Sequence, residues 1–159
     1  MSLFSSRRLA RALSIPLVAL MPIGAPLYGA TAQAAEPTPI IDLMLTVHVQ
    51  KHHRGSVIVG VFDNNASYTA GEKPAGSCRI DVSASVERCM VRGLKAGTYG
   101  IKAFHDLNGN GKLEMNVFGI PTEPVAFSNN AKINMRAPNW SELKIFVDPQ
   151  NVVQNIFID

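Results

Sequence analysis

Between residues 41 and 49 an apolar side chain falls on every second position: Ile41, Leu43, Leu45, Val47 and Val49, with Asp42, Thr46 and His48 between them. A period of two sends alternate side chains to opposite faces of an extended chain, which is the pattern of a strand with one buried face. Shorter versions recur at Ser56 to Phe62, Cys78 to Val82, Val86 to Val91, Thr98 to His105, Leu143 to Val147 and Val152 to Ile158, and Lys132 to Met135 adds a further short strand. Turn chemistry separates them. Asp63, Asn64 and Asn65 close one run, Gly71, Pro74 and Gly76 keep the next stretch irregular, and Asp148 to Asn151 part the last two. Phe118 to Pro124 should run extended, because Pro121 and Pro124 exclude a helix and Glu123 precedes a proline. Pro138 to Glu142 has room for one helical turn at most. The pattern predicts an all-β fold, an antiparallel sandwich of about seven strands.

The first third of the chain stands apart from this pattern. Arg7, Arg8 and Arg11 precede an apolar run from Ala12 to Ile23, and Ala32, Gln33 and Ala34 supply small residues at cleavage spacing. These are the parts of a secretory signal peptide over residues 1–34. The apolar run is short and broken by Pro16, Pro22 and Pro26, so it does not suit a bilayer span of about 20 residues. Residues 35–40 follow as a linker and 41–159 as the sandwich domain, which places the mature protein in the periplasm or outside the cell. Removing the leader also changes the charge. The chain has 15 Lys and Arg, and 15 less the three leader arginines leaves 12, against 12 Asp and Glu. A neutral mature protein lacks the basic footprint of a nucleic-acid binder. The partner classes left are a protein or a component of the cell envelope, met through a strand edge.

Cys78 and Cys89 are the only cysteines, and both lie in the exported part. An oxidising compartment lets such a pair persist as a disulfide, and the spacing is not the C-x-x-C of redox or metal pairs. Closing so short a loop stabilises a fold by about 3 kcal/mol in the chain-entropy model. Read as a strict hairpin, the two arms set Ile80 opposite Glu87, a mismatch that calls for a bulge.

The chemistry is concentrated in the loop from Asp106 to Asn116. Oxygen-bearing side chains stand at its positions 1, 3 and 5 (Asp106, Asn108, Asn110), glycine at 6 (Gly111) and a carboxylate at 9 (Glu114). This is the spacing by which a short loop wraps oxygens around calcium. The Lys112 carbonyl and Glu123 complete the candidate ligand set. With so few carboxylates, the affinity belongs in the range of about 0.1 to 1 mM seen for extracellular modules. The alternative is a turn in which Asp and Asn side chains cap their own backbone, with no metal.

Other chemistries find less support. His48, His52 and His53 sit beside Lys51 and Arg54 and suit a solvated strand end, while His105 leaves its strand on the face opposite Asp106. No G-x-S-x-G elbow, metalloprotease helix or phosphate-cradling loop is present, so no catalytic residue is assigned. The alternative function is a small periplasmic hydrolase that pairs carboxylates from Asp106, Glu114 and Glu123 in one pocket.

The turn Gly93, Leu94, Gly97, Thr98, Tyr99 resembles the entry into a strand of prealbumin-like sandwich domains. More specifically, the block with Gly97, Thr98 and Tyr99, then Phe104, His105, Asp106, Asn108, Gly109, Asn110, Gly111, Lys112 and Leu113, is similar to an uncharacterised exported bacterial family, domain-of-unknown-function family 2141. Phe118, Gly119, Ile120, Pro121, Glu123 and then Phe127 to Asn130 continue the resemblance. The family has aspartate more often at Glu114, and a glycine and an aromatic at Val125 and Ala126. The resemblance implies a periplasmic or extracellular sandwich with no established activity, and the expected frame is prealbumin-like or immunoglobulin-like.

Overall fold

The computed structural model describes residues 37–159; the leader and its cleavage site lie outside the described residues. Among the described residues eight strands form two sheets. The first sheet has three strands, with β1 (Ile40–Val49) between β4 (Val86–Lys95) and β8 (Val153–Ile158). The second has β3 (Gly76–Asp81), β2 (Ser56–Phe62), β5 (Gly97–Asp106) and β6 (Val125–Phe127) in that order, and the short β7 (Ile145–Val147) joins the start of β5. Among the described residues no helix is long and apolar enough to cross a membrane.

The alternation read in the sequence becomes the core. Ile41, Leu43, Leu45, Val47 and Val49 of β1 face Val57, Val59 and Val61 of β2 and Ile101 and Ala103 of β5, and all are buried. A buried aliphatic side chain of this size contributes about 1.5 to 3 kcal/mol relative to its exposed state, so the layer between the sheets dominates the stability.

The structure corrects several expectations. β3 and β4 are not hairpin partners: β3 pairs with β2, and β4 pairs with β1. The Cys78–Cys89 bridge, with Cα atoms 6.4 Å apart, therefore staples one sheet to the other, and the Ile80 to Glu87 mismatch never arises. Not every pair is antiparallel, since β8 returns from the second sheet and lies parallel to β1. Lys132 to Met135 is not a strand, and the extra pairing with β5 is made instead by Val125–Phe127.

The stretch expected to be irregular holds a short helix, α1 (Asn65–Ala70). The side chain of Asn64 accepts from Ser67 N at 2.9 Å, and Gly71 ends the helix in the left-handed region. A helical turn, α2 (Trp140–Leu143), starts from a capping box between Asn139 and Glu142. Both pack on the outer face of the second sheet, where Phe62, Tyr68, Phe127 and Leu143 make a small second core. Gly100 permits this: a Cβ there would run into Leu143 and Trp140.

Candidate functional site

β5 is the strand that connects the core to the site. Ile101, Ala103 and His105 point inward, so Lys102, Phe104 and Asp106 leave on the outer face, which α1, α2 and the following loop cover only in part. His105 is buried, and its Nε2 lies 2.6 Å from the Arg54 carbonyl oxygen. It packs; it does not face Asp106.

Asp106 is wholly buried under the loop that it begins. Its Oδ1 accepts from Gly109 N at 2.7 Å and Asn110 N at 3.1 Å, and its Oδ2 accepts from Gly111 N at 2.9 Å. Arg79 Nη2 stands 3.7 Å from Oδ2 and also donates to Ser56 Oγ, which in turn donates to Asp81. Burial by itself would raise the Asp106 pKa, but the three N–H donors and the Arg79 charge outweigh it and hold the carboxyl below its ordinary range. Gly55 has to be glycine, because its φ is +77° and a Cβ would strike the Asp106 carbonyl.

The other candidate ligands are placed as follows. Asn108 Oδ1 accepts from Asn110 N at 3.0 Å, and Asn110 Oδ1 accepts from Lys112 N at 2.8 Å, each turned to the backbone two residues on. Asn110 Nδ2 donates to exposed Glu114 at 3.0 Å. Glu123, buried, accepts from Leu107 N at 2.9 Å and from Glu114 N at 3.4 Å, and so ties the two ends of the loop together. Among the described residues no three of His, Cys, Asp and Glu gather as a cation site. The donor set fits a self-capped turn better than a cage: the oxygens face separate N–H groups, and a cation at Asp106 would meet Arg79.

Beyond Glu114 the chain makes a small hairpin, bridged at Met115 and Pro121 and turned by Asn116, whose side chain accepts from Phe118 N and Ile120 N, both at 3.0 Å. Its tip is apolar and open to solvent: Val117 is 94% and Phe118 83% exposed. Across from it, Ile133 and Met135 complete a cleft of about 310 Å³ over Val125 and Phe127. A second cleft of about 370 Å³ lies over Ile58, Gly60 and Phe104, and Leu113 and Lys102 border both. None of Asp106, Glu114 and Glu123 lines either cleft.

The model of the bacterial family described as "Uncharacterized protein conserved in bacteria (DUF2141)" matches residues 45–155. The chain belongs to DUF2141. No curated protein and no solved structure matches it. In this DUF2141 protein the matched stretch runs from within β1 to within β8 and takes in the Asp106 loop and every residue of both clefts. Sequence reasoning found the loop but missed what the loop builds. Arg79 and Ser56 carried no local signal, since they reach Asp106 only through strand pairing. Lys102 did carry one, as the lone charge inside the apolar run Tyr99 to Phe104.

Proposed function

We propose that this DUF2141 protein is an exported binding module, prealbumin-like in frame, that takes an apolar ligand in the cleft walled by the Asp106 loop. One observation carries the reading: large apolar side chains stay exposed around a formed cavity although the core between the sheets is complete without them. Phe118 at 83% and Met135 at 100% exposure gain little or nothing from folding, Met115 and Ile120 beside them stay more than half exposed, and an apolar patch of this kind around a formed cleft marks a binding surface. Asp106 then serves as the loop's anchor, and the cleft takes the place of the strand edge as the contact surface. The hydrolase alternative loses support because Asp106 and Glu123 spend their oxygens on backbone N–H groups away from the clefts.

Titration of the disulfide-intact protein with the neutral dye Nile red tests this. Saturable fluorescence enhancement is expected for the wild type, and Phe118→Ser with Met135→Ser should abolish it while leaving the melting temperature in place. Enhancement that never saturates, or that survives the double substitution, would overturn the cleft as the binding surface. For export, the intact mass of protein from the host envelope should begin past Ala34; a mature chain still starting at Met1 would sink that part.

A further inference from the structure

Lys102 stands where the clefts meet. Besides bordering the two larger ones, it lines a third of about 190 Å³ beneath α1 with Tyr68, Thr69 and Pro138. A Cβ built on Gly71, at the end of α1, would lie 4.0 Å from its Nζ. The side chain is half-buried, and among the described residues it forms no ion pair and no hydrogen bond. The other charges on these clefts are Lys112 and Arg136, and Arg136 is already paired with Glu142 at 3.0 Å. Among the described residues no carboxylate borders them.

Resting on the binding reading above, we propose that Lys102 is the anchor for an anionic headgroup and that the ligand is a single-chain amphiphile bearing a carboxylate. An ammonium partly shielded from water with no counter-ion costs free energy in the empty protein, and a ligand carboxylate reduces that cost while its chain fills an apolar cleft. The burial that pushes the Lys102 pKa down reflects the same unmet desolvation. Charge complementarity therefore selects the head, and the walls of Met115, Phe118, Ile120 and Met135 select the tail. A neutral chain would gain only the second contact, and a cationic amphiphile would be repelled.

Displacement of Nile red by dodecanoate, dodecanol and dodecyltrimethylammonium, in wild type, Lys102→Met, Lys102→Arg and the surface control Lys95→Met, decides the matter. Dodecanoate should bind the wild type at least tenfold more tightly than dodecanol, a preference that Lys102→Met removes and that Lys102→Arg and Lys95→Met largely keep. Dodecanol binding should stay within about twofold in all four proteins, which separates loss of an anchor from loss of the fold. If dodecanol and dodecanoate bind equally well and Lys102→Met changes neither, the anchor is wrong and the cleft stands. If none of the three chains displaces the dye, the binding reading falls with it. Equal loss in Lys95→Met would assign the preference to diffuse surface charge and overturn the role of Lys102.

Discussion

The two faces of β5 make different use of one strand. Its inner residues Ile101, Ala103 and His105 are closed in by the first sheet, and the partner atoms come from strands far apart in sequence. Its outer residues Lys102, Phe104 and Asp106 are covered by local pieces: a six-residue helix, a single helical turn and a loop that folds back over them. The inner face is filled mainly by aliphatic side chains, and His105 at its end is met by the Arg54 carbonyl. On the outer face, cover is held by the small cluster of Phe62, Tyr68, Phe127 and Leu143 and by hydrogen bonds to backbone, it is left incomplete, and the uncovered part is the cleft. Stability and the proposed binding are thus divided across the thickness of one strand.

The largest expected effect tests the sealed face. Leu45→Ala, at a position with no exposure, should cost about 2 to 5 kcal/mol in urea unfolding, the usual range for emptying a buried leucine site. Phe118→Ser on the open face should change stability by no more than about 0.5 kcal/mol, because an exposed side chain loses little burial. If the two costs came out alike, the hairpin tip would have to be part of the core and the division would fail.

Next in size is the staple between the sheets. Replacing Cys78 and Cys89 together by alanine should lower stability by about 3 kcal/mol through release of the unfolded chain, with the same loss on reduction of the wild type. Two thiols titrating in the unfolded, unreduced protein would rule the bridge out. The sequence made the pair legible but not its meaning. Spacing and the expected export argue for a bridge, whereas the assignment of β3 and β4 to opposite sheets depends on pairings with β2 and β1 that no local pattern encodes. For the same reason the strands of the core were readable, since their period is written in the chain. β6, three residues long beside a proline, was not. α1 had its signals in Asn64 and Gly71, at the two ends of a run too short to show a helical period. At the site the loop spacing was legible, but it serves calcium ligation and self-capping equally, and Arg79, which bears on the choice, arrives from β3 only in three dimensions.

That ambiguity can be broken with acid and with calcium. Asp106 has its carboxyl held below the ordinary range of about 3.9, so its contribution to stability is complete above about pH 4 and is lost as the pH falls through its folded value. Asp106→Asn should be less stable at neutral pH and should lose less on acidification than the wild type. Glu87 and Glu142, also held low by hydrogen bonds, supply the part of the acid limb that remains. Melting in millimolar calcium and in chelator should coincide for the wild type if the N–H donors and Arg79 are the whole of the anchor. A calcium-dependent rise that vanishes in Asp106→Ala would instead show a resident cation and restore the ligand set Asp106, Asn108, Asn110, Lys112, Glu114 and Glu123.

The smallest effect concerns the open face and has the opposite sign. Burial disfavours the charged form of Lys102 and lowers its pKa, so between the folded value and the ordinary value of about 10.4 the unfolded chain binds more protons than the folded one. Stability contributed by this residue therefore rises with pH across that window. Lys102→Met removes the ionisation and keeps an unbranched stem of similar reach. The variant should be as stable as the wild type or slightly more so at neutral pH, and the rise toward alkaline pH should flatten. Paired chemical denaturation curves at pH 7 and at pH 10 read both. A clear loss of stability in Lys102→Met at pH 7 would mean that the amine has a partner that supports the outer face. The cleft would then be another piece of the cover, and the contrast between the two faces of β5 would disappear.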